Sequence, residues 1–292
     1  MRRTDITYAA GGAGQRALAL EPVGPREPAL RVEMTDGARL LVRQGEQPLL
    51  LGRVVPWHQG VRTVRLPGYR SVVPSLRAET VRRQPDWTHW FADRLADCPH
   101  GPLHADRWLL REGTPPHYAW HGELVTAWPR AYLDWGHGWN GVVPLRPLSP
   151  PDDPRVKAYR RQLREGSAAP ILLWWVTGLD GWLLLDGHDR LVAARAEGLG
   201  RPRAIILARG LDDATQEEFL GYVDANQEHR RAQVAHLGAP ARAAAERAHA
   251  DAVSEVIAEQ ARTTAWPLPG GVPAWDALAA RHAPELAREP RD

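Results

Sequence analysis

Trp182-Leu183-Leu184-Leu185-Asp186-Gly187-His188-Asp189-Arg190-Leu191-Val192-Ala193-Ala194 is the stretch around which the rest of the chain is arranged. The apolar run is bounded by Asp180-Gly181 and Asp186-Gly187, which predicts a buried strand between two turns. Leu191, Ala193 and Ala194, beside Arg190 and Arg195 and closed by Gly198 and Gly200, predict a helix with a glycine stop. After Pro202 a second short apolar strand, Ala204 to Leu207, completes a strand–loop–helix–strand unit. A helix start with a glycine beside it and an arginine in its first turn is a physically sensible phosphate cradle.

Set in that unit, Asp186-Gly187-His188-Asp189-Arg190-Leu191 resembles the G-x-x-R box of the ParB/sulfiredoxin superfamily. The resemblance runs from about Val142 to Leu207. Val142-Val143-Pro144-Leu145 resembles the family's opening strand, Asp153 to Leu163 its first helix, and Pro170-Ile171-Leu172-Leu173 its next strand. A Thr177-to-Gly181 hairpin then leads into the box. The resemblance implies a small α/β nucleotide-binding fold, with ATP, ADP or CTP held through Gly187, His188, Asp189, Arg190 and Leu191. Members include CTP-binding partition proteins, ATP-using sulfiredoxins and free-serine kinases. Sulfiredoxins carry their catalytic cysteine where this chain has His188, and the single cysteine, Cys98, lies outside the matching region. Sulfinic-acid repair is therefore disfavoured. Partition proteins have a more basic box followed by a helix-turn-helix that has no convincing counterpart here. The kinase-like branch, with two histidines in the box, is nearest: His188 matches the first, and Asp189 departs from the second.

Each box residue has two readings. Gly187 serves either close phosphate approach or an ordinary turn. Arg190 is either a phosphate fork or a solvated helix-start arginine, although a cation there opposes the helix dipole and wants an anion nearby. His188 could hold a phosphate, carry a proton or cap the turn. Asp186 could hold Mg²⁺, activate a hydroxyl or simply sit in the turn. Asp186 and His188 are thus the catalytic candidates, and Asp186 the metal candidate. Asp152 is a further acidic candidate, with no glutamate to match the one that assists the kinase-like relatives.

Composition sets the wider frame. A chain of 292 residues with 43% hydrophobic and 25% charged residues is ordinary for a globular protein of about two domains. Its net charge of +2 and lack of a basic run disfavour a nucleic-acid partner. One cysteine excludes an internal disulfide framework and fits a reducing, cytoplasmic setting. The start has no apolar leader, and no segment reaches transmembrane length, so no membrane partner is expected.

Outside the box, residues 1–28, rich in Gly, Ala and Pro, are expected to form a flexible arm. Gly12-Ala13-Gly14-Gln15-Arg16 only superficially matches a dinucleotide loop. Residues 29–140 are expected to form a β-rich domain. Leu30 to Met34 and Arg39 to Val42 flank an Asp36-Gly37 turn. Trp87, Trp90, Phe91 and Leu95 give Pro85–Asp97 a helical face. Further strands are expected at Arg107–Arg111, His117–Trp120 and Glu123–Trp128. Eight of the 13 tryptophans lie between Trp57 and Trp139, and core filling is favoured over a ligand platform in a chain with two phenylalanines. Seven of the 12 histidines lie between His58 and His137. The pairs His100/His104 and His117/His121 lack a helical context or a third ligand for zinc.

The proline-rich stretch from Pro144 to Pro154 places a domain boundary near Asn140. Asp153 is expected to cap a helix that opens on Pro154 and runs to about Leu163. Residues 141–210 would be the ParB/sulfiredoxin-like domain and 211–292 a helical region. Its helices could pack on the box, form a lid or join two copies as a homodimer. The class expected is α+β. The leading function is a nucleotide-binding, Mg-dependent phosphotransferase acting on a small hydroxylated metabolite. A non-enzymatic nucleotide-gated regulatory protein is the alternative, and a DNA-binding or nuclease member of the superfamily the third.

Overall fold

The apolar run before the box is buried along its whole length because both of its faces are covered. Strand side chains alternate between faces. In β11 (Gly181–Asp186) Leu183 and Leu185 enter one core, and Trp182 and Leu184 another. In β10 (Ile171–Val176) Leu172 and Trp174 share the first core, Ile171 and Leu173 the second. The computed structural model describes every residue except 9–14, 56–58, 77, 116, 121–124, 136–140, 211–212, 260–261 and 288–292.

Two mixed sheets organise an α+β fold. The first has seven strands. In spatial order they are β1 (Arg2–Tyr8), β2 (Gln15–Glu21), β7 (Trp108–Gly113), β12 (Ala204–Arg209), β10, β11 and β9 (Val142–Pro144). β10 runs antiparallel to β11 and parallel to β12, while β9 runs parallel to β11. The second sheet has six strands: β13 (Ala265–Pro267), β3 (Leu30–Met34), β4 (Arg39–Gln44), β5 (Gln47–Val55), β6 (Gly60–Arg65) and β8 (Arg130–Asp134).

One apolar cluster joins the sheets. Leu18, Leu110, Leu172, Leu183 and Ile205 of the first meet Leu30, Val42, Leu50 and Val61 of the second, with Trp90, Phe91 and Leu95 of α2. That helix spans Trp87–Asp97, and Asp86 caps it by accepting from the His89 amide. Short α1 (Ala78–Arg83) precedes it. On the outer face of the first sheet lies α4 (His188–Ala196), with α3 (Pro154–Arg164) packed on it through Val156, Val192 and Ala193. On the outer face of the second lie α7 (Gly271–His282) and α8 (Pro284–Ala287). There Trp275, Ala279 and Leu286 meet Leu41, Leu51 and Val64, and the Trp275 indole donates to the Leu40 carbonyl at 2.9 Å. Between β12 and β13 the chain makes two long helices, α5 (Asp213–Val234) and α6 (Ala239–Glu259).

Four expectations need correction. Residues 1–28 are not an arm: β1 and β2 form a hairpin that pairs onto β7, and Ala17 to Leu20 are buried. Small residues gave that segment a loose composition, yet Leu18 and Leu20 at strand spacing reach the shared core. The Gly12–Gly14 loop lies outside the described residues. A domain boundary near Asn140 also fails, because β1, β2 and β7 belong to the sheet that carries the box. His117–Trp120 is a 3₁₀ turn rather than a strand, tied by the Trp120 indole donating to the Pro115 carbonyl at 3.2 Å. Finally, Val125–Trp128, the described part of the last expected strand, contains no strand.

The tryptophans mostly fill core. Trp87, Trp90, Trp108 and Trp120 are buried, while Trp57 and Trp139 lie outside the described residues. His104 is a core histidine, held between the Pro102 carbonyl and the Thr264 hydroxyl. Arg65 is buried, and among the described residues no carboxylate pairs with it. Its guanidinium donates to the carbonyls of Ala127, Pro129 and Pro144, stapling β6 to the start of the box-bearing segment. Burial alone pulls its pKa down to about 10.

Because Leu20 is fully buried in the shared core, Leu20→Ala should lower unfolding free energy by about 2–5 kcal/mol in urea titration. A dangling arm would give no change.

Candidate functional site

β11 ends on Asp186, and a single glycine turns the chain into α4. Gly187 has φ +90°, a left-handed conformation. A Cβ there would lie 2.7 Å from Ile171 Cγ2 and 3.0 Å from Arg190 Nη2. Both conformation and space therefore require glycine. The Leu191 amide closes the first helical bond onto the Gly187 carbonyl at 2.8 Å. Ahead of it, the amides of His188, Asp189 and Arg190 have no carbonyl within the helix.

This helix start opens into a cavity of about 540 Å³. One wall is the box, Leu185 to Arg190. Another is the segment after β6, with Tyr69, Ser71, Val73, Ser75 and Leu76. The third is α3, which presents Arg155, Ala158, Tyr159 and Gln162 at one-turn spacing, and Arg146 completes the lining. Tyr69 ties two walls together, its hydroxyl donating to the Leu185 carbonyl at 2.7 Å. Burial, and then the Asp186 carboxylate, push the Tyr69 pKa well above its ordinary value.

Two arginine–carboxylate pairs brace the floor. Arg190 Nη2 donates to Asp186 Oδ2 at 2.6 Å and to the Pro170 carbonyl at 3.1 Å, and its guanidinium lies 5.7 Å from the Tyr159 ring centre. Asp189 Oδ1 accepts from the Ser149 hydroxyl at 2.8 Å and from Arg146 Nη2 at 3.3 Å. With those bonds made, three buried polar atoms of the lining still have no partner: His188 Nε2, Arg190 Nε and Gln162 Oε1. Buried polar atoms are rarely left so, and here three share one cavity. Burial first, then the charges of Arg146 and Arg190, hold the His188 pKa well below its ordinary value. The imidazole is therefore neutral near pH 7.

Asp186, Gly187, His188, Asp189 and Arg190 all line the cavity. Leu191 does not: its side chain packs against Ile171 and Leu173 and its amide is spent on Gly187. As a ligand-binding residue it is corrected to a core residue. Asp152 also lies outside the lining. Sequence reasoning missed Arg146, Ser149, Tyr69 and the α3 face. The spacing of Arg155, Tyr159 and Gln162 was a usable signal, since it sets three side chains able to hydrogen-bond along one side of the helix expected from Pro154. Tyr69 had none, being brought in by the second sheet. Among the described residues no group of three His, Cys, Asp or Glu could hold a metal. Asp186 alone could contribute a carboxylate to Mg²⁺, which commonly completes its shell with substrate phosphates and water.

Comparison with family models, curated proteins and solved structures gave no match to this chain.

Two outcomes follow from this geometry. Gly187→Ala should cost at least about 1 kcal/mol of stability through the left-handed turn, read by thermal melting. His188, with a depressed folded pKa, stabilises the fold fully above the ordinary histidine value of about 6.5 and loses that contribution as pH falls below it. Between about pH 7 and pH 5 wild type should therefore lose more stability than His188→Asn. Equal losses would show that His188 is not held neutral.

Proposed function

We propose that the cavity at the start of α4 binds the phosphates of a nucleotide (ATP, ADP or CTP), and that the protein is a Mg-dependent phosphotransferase acting on a small hydroxylated metabolite. The observation that carries this reading is the pair of buried, unpartnered nitrogens, His188 Nε2 and Arg190 Nε, beside the free amides of a helix start. Three arginines against two carboxylates in the lining leave a net positive wall, as an anionic ligand requires. The Gly187 turn lets an oxygen approach the amides without meeting a side chain. This arrangement supports the expected resemblance to the ParB/sulfiredoxin superfamily.

In this reading Arg146, Arg155 and Arg190 offset phosphate charge. His188, neutral, either donates to a phosphate oxygen or takes the proton of the attacking hydroxyl. Asp186 would hold Mg²⁺ together with the phosphates, and the ion would supply charge neutralisation across them. Phosphoryl transfer is mostly positioning and electrostatics, so few residues need act on the reacting atoms. A second reading, nucleotide binding without turnover, is favoured by one observation. Both carboxylates of the box are already engaged by arginines, so neither is free to act as a base.

Calorimetric titration with ATP, ADP and CTP, with and without Mg²⁺, tests both. Wild type should bind at least one nucleotide, and Arg146→Ala and Arg155→Ala should each weaken it about tenfold, the scale of a charge-assisted bond. Arg190→Ala should abolish it in a variant whose near-ultraviolet circular dichroism is native. No binding of any nucleotide would overturn the proposal. Binding without phosphate transfer to a panel of alcohols and polyols would select the second reading.

A further inference from the structure

Among the described residues, each sheet ends on two strands that have a neighbour on one side only. Three of these four edges are short or tied. β9 and β13 have three residues each. β8, with five, begins on Arg130, which Glu285 of α8 holds. Short edge strands are a usual protection against pairing with another chain. β1 is the exception. It has seven residues, contains no proline or glycine, and pairs with β2 without a bulge.

The charges of β1 stand in a definite order. Arg2 to Asp5 are exposed and Ile6 is half-buried. Side chains alternate along a strand, so Arg3 and Asp5 share one face and Arg2, Thr4 and Ile6 the other. The ion pairs agree with this. Arg3 reaches Asp93, and Asp5 lies 3.6 Å from His89, both of them on α2 and one turn apart. On the opposite face Arg2 reaches Glu21 of β2. Arg3 and Asp5 are thus held in place by α2 before any partner arrives.

Charges on an edge can keep a second chain away, but the order of signs here favours a second copy. Two β1 strands pairing antiparallel would be related by a two-fold axis normal to the sheet. Centred on Arg3, that axis sets Arg3 against its own copy; centred on Asp5, it sets Asp5 against its own copy. Like charges directly opposite are destabilising. Centred on Thr4, it sets Arg3 of each copy opposite Asp5 of the other, twice over, with Thr4 facing Thr4. Arg2 then lies opposite Ile6, where the arginine stem covers the half-buried side chain. Axes nearer either end pair fewer residues.

We propose that β1 pairs antiparallel with β1 of a second copy of the chain about a two-fold axis at Thr4, joining the two seven-stranded sheets into one. Backbone hydrogen bonds supply the contact, and the Arg3–Asp5 pairs set its register. Four strands separate β1 from the box-bearing β11. The contact therefore stands or falls apart from nucleotide binding.

Sedimentation velocity on the full chain, with circular dichroism as the folding control, tests it. Wild type should be a dimer at about 10 µM. Asp5→Arg makes both positions basic and Arg3→Asp makes both acidic, so each variant alone faces its own sign. Each should raise the dissociation constant at least about tenfold. An equimolar mixture of the two should form a heterodimer, because opposite signs then meet. Amide hydrogen exchange should slow at alternate residues of β1 as wild type dimerises, since every second N–H points outward. A monomer at about 100 µM would overturn the proposal and leave the edge to a strand of another protein. So would a dimer indifferent to both reversals, reversed variants that stay apart when mixed, or a dimer whose β1 amides exchange as fast as the monomer's.

Discussion

The turn at Gly187 is the constraint on which the site depends. One residue at φ +90° converts the end of β11 into the start of α4, and Ile171 and Arg190 close the space that a side chain would need. The sharpness of that turn places the helix amides at the sheet's end and directs Arg190 back over the strand termini. It also sends Leu191 and Ala194 inward, so the helix is fastened to the sheet by the same few residues that open the cavity. Residues 186–190 could not be rebuilt as an ordinary loop without lifting α4 from the core.

The second sheet matters to the site through one segment. After β6 the chain runs from Tyr69 to Leu76 against the shared core, with Val72 and Val73 buried. Tyr69 reaches from there to the Leu185 carbonyl, one residue before Asp186. Gln44 holds the same segment, accepting from the Arg70 amide and donating to the Arg70 carbonyl. A wall of the cavity thus follows directly on β6 of the second sheet, which ends over 100 residues upstream of the box. Losing packing between the sheets would open that wall even with the box intact.

That explains what was readable beforehand. The strand–glycine–helix unit, the capped helix from Pro154 and the hairpin of Leu30 to Val42 are local, and apolar period with turn chemistry fixes them. The cavity's box and its α3 face come from those elements. Pairing of β2 with β7, or of β13 with β3, joins segments far apart in sequence, and no local pattern encodes it. Ala17-Leu18-Ala19-Leu20 shows the limit clearly. Its alternation is a strand signal, but glycines and prolines on either side dominated its composition, and only contact with β7 shows why two leucines suffice. Arg65, likewise, reads as one surface cation among many until three backbone carbonyls converge on it.

The charges around Arg190 bear on how an anion could enter. A cation in the first turn of a helix faces an unfavourable dipole, and burial at 4% exposure adds a desolvation cost. Asp186, one turn back, offsets both through a bond at 2.6 Å from Nη2. Removing Asp186 would therefore strand a buried charge rather than free a binding group. The arrangement leaves Nε, next to Nη2 on the guanidinium, without a partner. An incoming oxygen at Nε would add to the Asp186 pair and would not have to break it. The same holds for His188, whose neutral ring keeps Nε2 open while Arg146 is engaged with Asp189. A ligand anion would thus meet groups already oriented by the chain's own carboxylates, and its binding energy would not be spent on reorganising them.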